Sequence, residues 1–559
     1  MARDYFSFMQ FKRDKIQLLN GKWDFYFDSL DSEKLKINVP FVYQSKLSGI
    51  NTDSIHDVIY YRREVDIPEG FNENIILHFD AIDHEAYVYI DDQLVISHTG
   101  GYTPFSVNIS PYLSDDKFTI LVKVIDPSFD KSIARGKQTW DDKPHDIWYT
   151  RSSGIWQNVW LENVHDIHIE NIKYHPDIKR KSVNIEVNVS DNAIGKTLVM
   201  KIKGRYHKYH IDNCKMNIEY LVEKLWSVDE PNLYDVVFSI EDDYVYDSVS
   251  SYFGLRSVKV FEDKILMNNE FIYQKLLLNQ GYYQDGLLSA SSDEDFINDI
   301  KMMKAMGFNG CRIHQKVEDP RFLYWCDKLG FLVWGECPAF YEFSNKANDD
   351  LKKMWDEIIE RDYNHPSIIT WTLYNESWGI EGVNDNKMIQ DAVIGLYDHV
   401  KKLDSTRLVI ANDGWEVVKG DFIGFHNYCH GRKDETEKYQ QYCHDLADID
   451  ALLKHQPGNH PILASCFPYS LKPIILSEFG GIAYQNSDGW GYTSVNNEVD
   501  FLADYQRTIE AIKASKLLCG YCYTQFTDVE IEQNGLLTYD HKPKVALEKI
   551  RKINDMIDA

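Results

Sequence analysis

Hydrophobic and polar positions alternate in the first half of the chain as they do in β-strands. Up to about residue 165, apolar and aromatic residues form short runs, such as 86–90 and 118–125, separated by clusters of turn residues. Farther along, one face of a strand carries Val183, Ile185, Val187 and Val189 and the other Asn184, Glu186 and Asn188. These patterns predict an antiparallel β domain over residues 1–165 and a small β-sandwich over residues 166–258.

After residue 258 the pattern changes to apolar strands that alternate with amphipathic helices. Residues Phe296, Ile297, Ile300 and Met303 recur at helical spacing within 293–306. Eight segments are strand candidates: 275–280, 309–314, 332–335, 368–373, 408–411, 422–426, 474–477 and 520–525. Eight β/α units within residues 259–559 predict a (β/α)8 TIM barrel.

Composition and charge narrow the class of protein. The chain has 559 residues, of which 44% are hydrophobic, so it can bury a large core in several domains. Its net charge of −27 repels phosphate backbones and anionic lipids, which argues against nucleic acid and membrane partners. Because the sequence shows neither a signal-peptide pattern nor a run of 18 apolar residues, we expect a cytoplasmic protein. The odd number of cysteines, nine, favours reduced thiols, and Cys519 and Cys522 are expected to pack in the core.

Candidate chemistry lies where the barrel strands end. Barrel enzymes carry their reacting groups at the carboxyl ends of the strands. Glu376 ends the fourth strand candidate, Glu478 ends the seventh, and Arg312 and His314 end the second. Two glutamates on one rim can form a catalytic pair, although solvated or helix-capping glutamates are the alternative.

Several motifs resemble those of glycoside hydrolase family 2, which includes β-galactosidases, β-glucuronidases and β-mannosidases. Glu376 in WTLYNE and Glu478 in LSEFGG resemble the acid/base and nucleophile motifs of this family. The segments 100–105, 153–160, 253–258 and 361–366 resemble other family motifs in the expected order. The resemblance implies a jelly-roll sugar-binding-like domain over 1–165, an immunoglobulin-like β-sandwich over 166–258, and a catalytic barrel over 259–559.

The resemblance also implies a retaining, exo-acting β-glycosidase. Its two carboxyl groups should lie roughly 5 to 5.5 Å apart, with Glu478 as nucleophile and Glu376 as acid and then base. Arg312 can keep Glu478 ionised through a charge-assisted hydrogen bond. Burial near Trp371 and Trp378, and repulsion from Glu478, are expected to raise the pKa of Glu376 so that it starts protonated.

Further residues are candidates for binding the substrate. By resemblance, Asn375 contacts the sugar 2-hydroxyl, Tyr428 hydrogen-bonds the nucleophile, Asp146 reaches the barrel from the jelly-roll, and Tyr523 lies under the sugar. The other candidates are Arg312, His314, Glu336, Trp415, Trp490 and Gln525. Alternatives remain open: Asn375 as a turn residue, His314 as a structural histidine, Glu336 as a residue that orients Arg312 or His314, and Tyr523 as core packing.

The sugar is predicted from departures from the family pattern. Family glucuronidases carry an Asn-x-Lys pair whose lysine meets the sugar carboxylate, whereas this chain has Glu532, Gln533 and Asn534 there. It also has Asn279 and Gln280 where β-galactosidases and glucuronidases carry His-Glu. We therefore predict a neutral β-glycoside, most simply a β-galactoside, with a β-glucuronide or another family 2 substrate as the alternative. A non-catalytic carbohydrate-binding protein is the alternative of another class.

No cofactor or metal is expected, because the two-carboxylate mechanism requires none and no cluster of metal-ligand spacing is visible in the sequence. A carbohydrate is the expected partner. The resemblance also implies association into a homo-oligomer.

Overall fold

The computed structural model describes residues 6–465, 467–484 and 489–558, and its first part is a β-sandwich. The strands are β1 (Ile16–Leu18), β2 (Gly21–Phe27), β3 (Leu35–Val39), β4 (Val58–Asp66), β5 (Asn74–Phe79), β6 (Ile82–Asp83), β7 (Glu85–Ile90), β8 (Gln93–Thr99), β9 (Phe105–Asn108), β10 (Lys117–Ile125), β11 (Gly154–Ile155) and β12 (Val159–Val164). An antiparallel sheet in the order β3-β2-β4-β10-β7-β8 faces another in the order β1-β12-β5-β9. Alternate residues of β10 are buried between the sheets, as period-2 patterning requires.

The second part is a smaller sandwich. Its strands are β13 (Ile169–Asp177), β14 (Ser182–Val189), β15 (Thr197–Ile202), β16 (Arg205–His210), β17 (Lys215–Leu221), β18 (Tyr234–Glu241) and β19 (Val245–Phe253). They form a sheet in the order β13-β14-β17 and another in the order β16-β15-β18-β19. The predicted alternation in β14 is confirmed, because its four valine and isoleucine side chains are all buried. A short sheet of β20 (Val258–Phe261), β21 (Lys264–Met267) and β22 (Glu270–Phe271) precedes the barrel.

The third part is a (β/α)8 barrel, as predicted. Its strands and helices are β23 (Gln274–Asn279), α1 (Asp293–Ala305), β24 (Gly310–Ile313), α2 (Pro320–Leu329), β25 (Leu332–Glu336), α3 (Asn345–Asp362), β26 (Ile368–Asn375), α4 (Lys387–Leu403), β27 (Leu408–Asp413), β28 (Ile423–Asn427), α5 (Thr436–Ala447), α6 (Ile449–His455), β29 (Ile474–Gly480), β30 (Ile482–Tyr484), β31 (Thr493–Val495), α7 (Glu498–Ala514), β32 (Leu518–Thr524) and α8 (Leu547–Asn554). The eight barrel strands are parallel, in the order β27-β26-β25-β24-β23-β32-β29-β28. Each overlaps one of the eight predicted segments. One unit differs from the prediction, because residues 414–422 between β27 and β28 form no helix.

Alternation along the barrel strands separates an apolar core from a polar mouth, the end where the carboxyl ends of the strands lie. In β25, Leu332 and Trp334 pack inside the barrel, whereas Val333 packs outward against the helices. Glu336 continues the inward series one step farther, at the mouth, where it pairs with Arg312. Apolar side chains thus fill the interior of the barrel directly below the polar groups at the mouth.

The cysteines of the described residues are free thiols. Cys519 and Cys522 belong to the apolar core inside the barrel, as predicted. Within the described ranges, no helix has the length and apolar character needed to cross a membrane.

Candidate active site

The two predicted catalytic glutamates meet at the barrel mouth. Glu376 directly follows β26 in a left-handed conformation, with φ of 53°, and Glu478 lies within β29. An oxygen of one carboxylate lies within 4.8 Å of an oxygen of the other. This approach fits the separation of roughly 5 to 5.5 Å in retaining glycosidases and is too close for the inverting arrangement, which needs room for a water molecule.

Arg312 lies buried at the base of this site and contacts four of its polar side chains. Its side chain has no exposed surface, and its Nε donates to Glu336 Oε1 at 2.7 Å. Its Nη1 lies 2.7 Å from Asp413 Oδ2 and donates to Glu478 Oε1 at 3.2 Å, while its Nη2 donates to Asn375 Oδ1 at 3.0 Å. Because Arg312 is enclosed by these groups, it orients them, and its role in binding the substrate stays a prediction.

His426 links the two glutamates. Its Nδ1 lies 2.7 Å from Glu376 Oε1, and its Nε2 lies 2.9 Å from Asp413 Oδ2 and 3.4 Å from Glu478 Oε1. Burial by itself lowers the pKa of a histidine, but the charge of Glu478 and the hydrogen bonds to Asp413 and Glu376 raise the pKa of His426 to about 10. At neutral pH His426 is therefore an imidazolium that donates to the acid/base glutamate.

This imidazolium changes the expected protonation of Glu376. Burial raises the pKa of the Glu376 carboxyl, but the hydrogen bond and charge of His426 outweigh burial, so that the pKa is lowered. The expectation of a raised pKa is wrong for this structure. Trp371 does not contribute, because it packs outward against Trp355, whereas Trp378 Nε1 donates to Glu376 Oε2 at 3.3 Å. One proton is instead held by the pair of His426 and Glu376.

Glu478, the predicted nucleophile, also accepts a hydrogen bond from a tyrosine. Tyr428 donates its hydroxyl to Glu478 Oε2 at 2.5 Å, in the arrangement that the sequence predicts. The same hydroxyl lies 2.8 Å from Thr524 Oγ1, and the Tyr428 ring stacks on Tyr492 with centroids 3.5 Å apart. Arg312 and Tyr428 together fix both oxygens of Glu478 for attack.

Three other predicted residues join this cluster. Asn375 uses its Oδ1 on Arg312, which leaves its buried Nδ2 without a partner and available to a sugar hydroxyl. His314 Nδ1 lies 3.4 Å from Glu336 and 3.9 Å from Glu478. Glu336 also accepts from the Gln315 backbone at 3.1 Å, so it orients Arg312 and His314, which was the alternative interpretation.

The aromatic candidates lie around the rim. Trp415 packs edge-on against His426, with ring centroids 5.7 Å apart, and stacks on His460. The ring centroids of Trp490 and Tyr492 are 5.3 Å apart, and the Nε1–H group of Trp490 donates a hydrogen bond to the Asp146 carbonyl at 2.8 Å. Both tryptophans are half-buried; Trp415 contacts His426, whereas Trp490 contacts Tyr492, which stacks on Tyr428.

Two predicted residues are enclosed within the protein, and a third lies at its surface. The Asp146 side chain is 76% exposed and pairs with His145, while its backbone carbonyl accepts from Trp490. Tyr523 is buried against Phe479 and Tyr505, so core packing, the alternative interpretation, holds for it. The next residue, Thr524, contacts the Tyr428 hydroxyl. Gln525 is fully buried and bonds only within the protein, to Gln280 and Asn534.

Comparison with known proteins gives the family. The model of the TIM barrel domain of glycosyl hydrolases family 2 matches residues 258–559, which is more than half of the chain. The sugar binding domain of the same family matches residues 28–164, and a third family 2 model matches residues 167–256. The chain belongs to glycoside hydrolase family 2.

Relatives within family 2 carry several names. The chain is 27% identical to a β-galactosidase from Thermoanaerobacter pseudethanolicus over 64% of the chain and 50% of that protein. It is 23% identical to a β-glucuronidase from Paenibacillus borealis, with 96% of each chain covered. The chain spans about half the length of several curated relatives it matches. A solved β-galacturonidase from Eisenbergiella tayi, bound to galacturonate, covers 99% of both chains at 19% identity and a TM-score of 0.75, which shows a shared fold.

In this family 2 protein, the N-terminal sandwich supplies part of the barrel mouth. The backbone N–H groups of Arg135 and Gly136 donate to the Ala339 carbonyl at 2.8 and 2.9 Å, and Tyr341 donates its hydroxyl to the Gly136 carbonyl at 2.5 Å. Gly136 has φ of 61°, and a Cβ there would overlap the Gln315 carbonyl oxygen, so this position requires glycine. The next residue along this loop is thereby fixed over the mouth.

That next residue, Lys137, is 4% exposed. Burial lowers the pKa of its ammonium group, while the charges of Glu532, Glu376 and Glu478 act in the opposite direction. Its Nζ lies 5.6 Å from the centre of the Tyr149 ring, and Tyr149 donates to Glu532 Oε2 at 2.5 Å. The N-terminal domain therefore contributes a buried cation to the site.

The catalytic cluster also has the donor types of a metal site, since Glu376, His426 and Glu478 each offer one atom within 4.8 Å of the others. A metal ion requires a neutral imidazole, however, and a pKa of about 10 means that His426 holds a proton in that place at neutral pH. The arrangement therefore suits proton transfer better than metal binding.

The sequence interpretation missed Asp413, His426, Thr524 and Lys137. Asp413 ends β27 and His426 lies near the end of β28, so the rule that polar residues at strand ends form the site could have found both. Lys137 carries no such signal, because it lies in a loop of another domain.

Proposed function

We propose that this protein is a retaining, exo-acting β-glycosidase that releases a terminal sugar by double displacement. The observation that carries the proposal is the approach of the Glu376 and Glu478 oxygens to within 4.8 Å. Names of family 2 relatives support the same class of reaction. The loop around Gly136 lies across the barrel mouth, which favours a closed pocket and hence attack on chain ends.

In the first step Glu478 attacks the anomeric carbon and the bond to the leaving-group oxygen breaks. His426 passes its proton across their 2.7 Å hydrogen bond to Glu376, which delivers it to that oxygen, so that Glu376 is left as a carboxylate and His426 as a neutral imidazole. In the second step Glu376 takes a proton from water, the water oxygen attacks the glycosyl ester, and Glu478 leaves as carboxylate. The product keeps the β configuration.

The identity of the sugar is a finer proposal. From the sequence alone, a β-galactoside follows from the absence of a lysine at 532–534, and the name of the Thermoanaerobacter relative supports it. The buried ammonium of Lys137 favours the other candidate, a β-uronide, over the galactoside. Cytoplasmic location and self-association remain proposals from the sequence.

The test compares wild type with Glu376→Gln and Glu478→Gln on a panel of nitrophenyl β-glycosides. We expect Glu478→Gln to lose activity by roughly 10⁴-fold or more and Glu376→Gln to recover turnover when azide replaces water as the attacking group. Glu437→Gln, on the exposed face of α5, is the matched control and should keep wild-type activity. Proton NMR should show the β anomer first; an α anomer as first product, or no turnover of any β-glycoside, would refute the proposal.

A further inference from the structure

Lys137 stands out as a buried charge without a partner. Among the residues that the structure describes, no carboxylate lies within 4.0 Å of its Nζ, and its ammonium makes no hydrogen bond. A buried ammonium normally finds acceptors for its three N–H groups, because losing its hydration is costly. A site that binds a charged ligand, in contrast, keeps its own charge unpaired until the ligand arrives.

The surrounding acidic residues do not supply that partner. Glu532 exerts the largest charge effect on Lys137, but its oxygens already accept from Tyr149 at 2.5 Å and from Asn534 at 3.2 Å. Glu376 and Glu478 are held by His426, Arg312 and Tyr428. Each of these carboxylates is oriented by groups other than Lys137.

The position of Lys137 is fixed by the protein rather than by a ligand. The backbone bonds of Arg135 and Gly136 to Ala339 anchor the preceding residues, and the Lys137 carbonyl accepts from the Tyr149 N–H at 2.7 Å. Its ammonium lies near enough to both catalytic glutamates for their charges to act on it. A sugar ring held between those glutamates and the loop therefore comes within reach of Lys137.

The hydrogen-bonding character of the pocket favours an acceptor. The ammonium of Lys137 has three N–H donors and no acceptor. A carboxylate only accepts hydrogen bonds, whereas a hydroxyl must also place its own proton. A sugar carboxylate thus matches an unpaired ammonium better than a hydroxymethyl group does.

We propose that Lys137, contributed by the N-terminal domain, is a specificity-determining residue that binds the carboxylate of a β-uronide in the sugar subsite. Lys137 would bind the sugar carboxylate, the role that the lysine of the Asn-x-Lys pair has in family glucuronidases and that no residue of segment 532–534 has here. This proposal rests on the β-glycosidase function and names its substrate class.

The experiment measures kcat/KM on nitrophenyl β-glucuronide, β-galacturonide and β-galactoside for wild type, Lys137→Met and Lys137→Arg. Wild type should prefer one of the uronides. Lys137→Met should lower kcat/KM on that uronide by roughly 100-fold, mainly through KM, and lower kcat/KM on the galactoside by a much smaller factor. Lys137→Arg should keep most of the preference. Lys143→Met, an exposed lysine of the same loop, is the matched control.

A wild type that prefers the galactoside, or a Lys137→Met variant that loses both sugars by the same factor, would overturn the proposal. A second experiment uses wild type alone and compares inhibition by free galacturonate and glucuronate with inhibition by galactose and glucose. The acids should inhibit more strongly, and equal inhibition by acids and neutral sugars would also overturn the proposal for Lys137. Failure of the β-glycosidase function itself is distinguishable. It would appear as no turnover of any substrate, and stabilisation of wild type by uronic acids in a thermal melt would still report on Lys137.

Discussion

Replacement of His426 by glutamine tests the proton arrangement at the core of the proposed mechanism. Glutamine keeps a neutral N–H donor near Glu376 but cannot carry an additional proton. In wild type the surrounding carboxylates raise the pKa of His426 from 6.5 to about 10, which corresponds to roughly 5 kcal/mol of stabilisation of the imidazolium. The pair of His426 and Glu376 therefore retains its proton throughout the neutral range.

Without His426, burial raises the pKa of Glu376 from its usual value, while the charges of His314 and Lys137 still act to lower it. The lowering effect of His426 disappears, and Glu376 carries the proton itself. A buried carboxyl still loses its proton well below the pKa of the wild-type imidazolium. In wild type we expect kcat/KM to decline on the alkaline side with an apparent pKa near 10. In His426→Gln this apparent pKa should be lower by about 2 to 3 pH units.

The assay is the dependence of kcat/KM on pH, from about pH 5 to about pH 10, with a good and a poor leaving group. At alkaline pH, His426→Gln should lose roughly 10² to 10³-fold on methyl glycosides and much less on dinitrophenyl glycosides, whose departure needs little protonation. His399→Gln, a half-buried histidine on α4, is the matched control. An alkaline limb that does not move, or an equal loss on both leaving groups, would refute the reasoning, because either result fits a purely structural histidine.

Three further outcomes are expected. Arg312→Met leaves three buried carboxylates without their common cation and should lower the free energy of unfolding by about 3 to 5 kcal/mol in urea titrations; Arg180→Met, at the surface, should change it by less than about 1 kcal/mol. Gly136→Ala forces the loop away from the Gln315 carbonyl and should raise KM several-fold with little change in the thermal midpoint; an unchanged KM would contradict the anchoring role. Because the folded pKa of His426 is raised, its contribution to stability is complete below pH 6.5 and is lost as the pH rises toward 10, so wild type should lose more stability over this range than His426→Gln; equal losses would exclude the buried imidazolium.

Much of the site could be predicted because strand periodicity is a local property. Apolar runs located the eight barrel strands, and the residues that follow such runs must lie at one end of the barrel. Glu376 and Glu478 were found in this way, helped by family motifs around them, and Tyr428 was predicted from the resemblance alone; the structure brings the three together. The same periodicity explains why Tyr523 packs against helix α7 whereas its neighbour Thr524 contacts the Tyr428 hydroxyl at the mouth, because successive side chains of β32 point to opposite faces.

The sequence by itself determined the three-part architecture, the barrel and its acidic pair. Only the tertiary structure decided where the proton lies and which cation reaches the pocket. Protonation depends on the sum of burial and charges from Asp413, His426 and Glu478, which come from different strands. Lys137 is separated from Glu376 by more than two hundred residues and reaches it only because the N-terminal domain packs over the barrel mouth. The distances between these charged groups and the loss of their hydration cannot be inferred from the sequence, because both arise only when distant segments fold together.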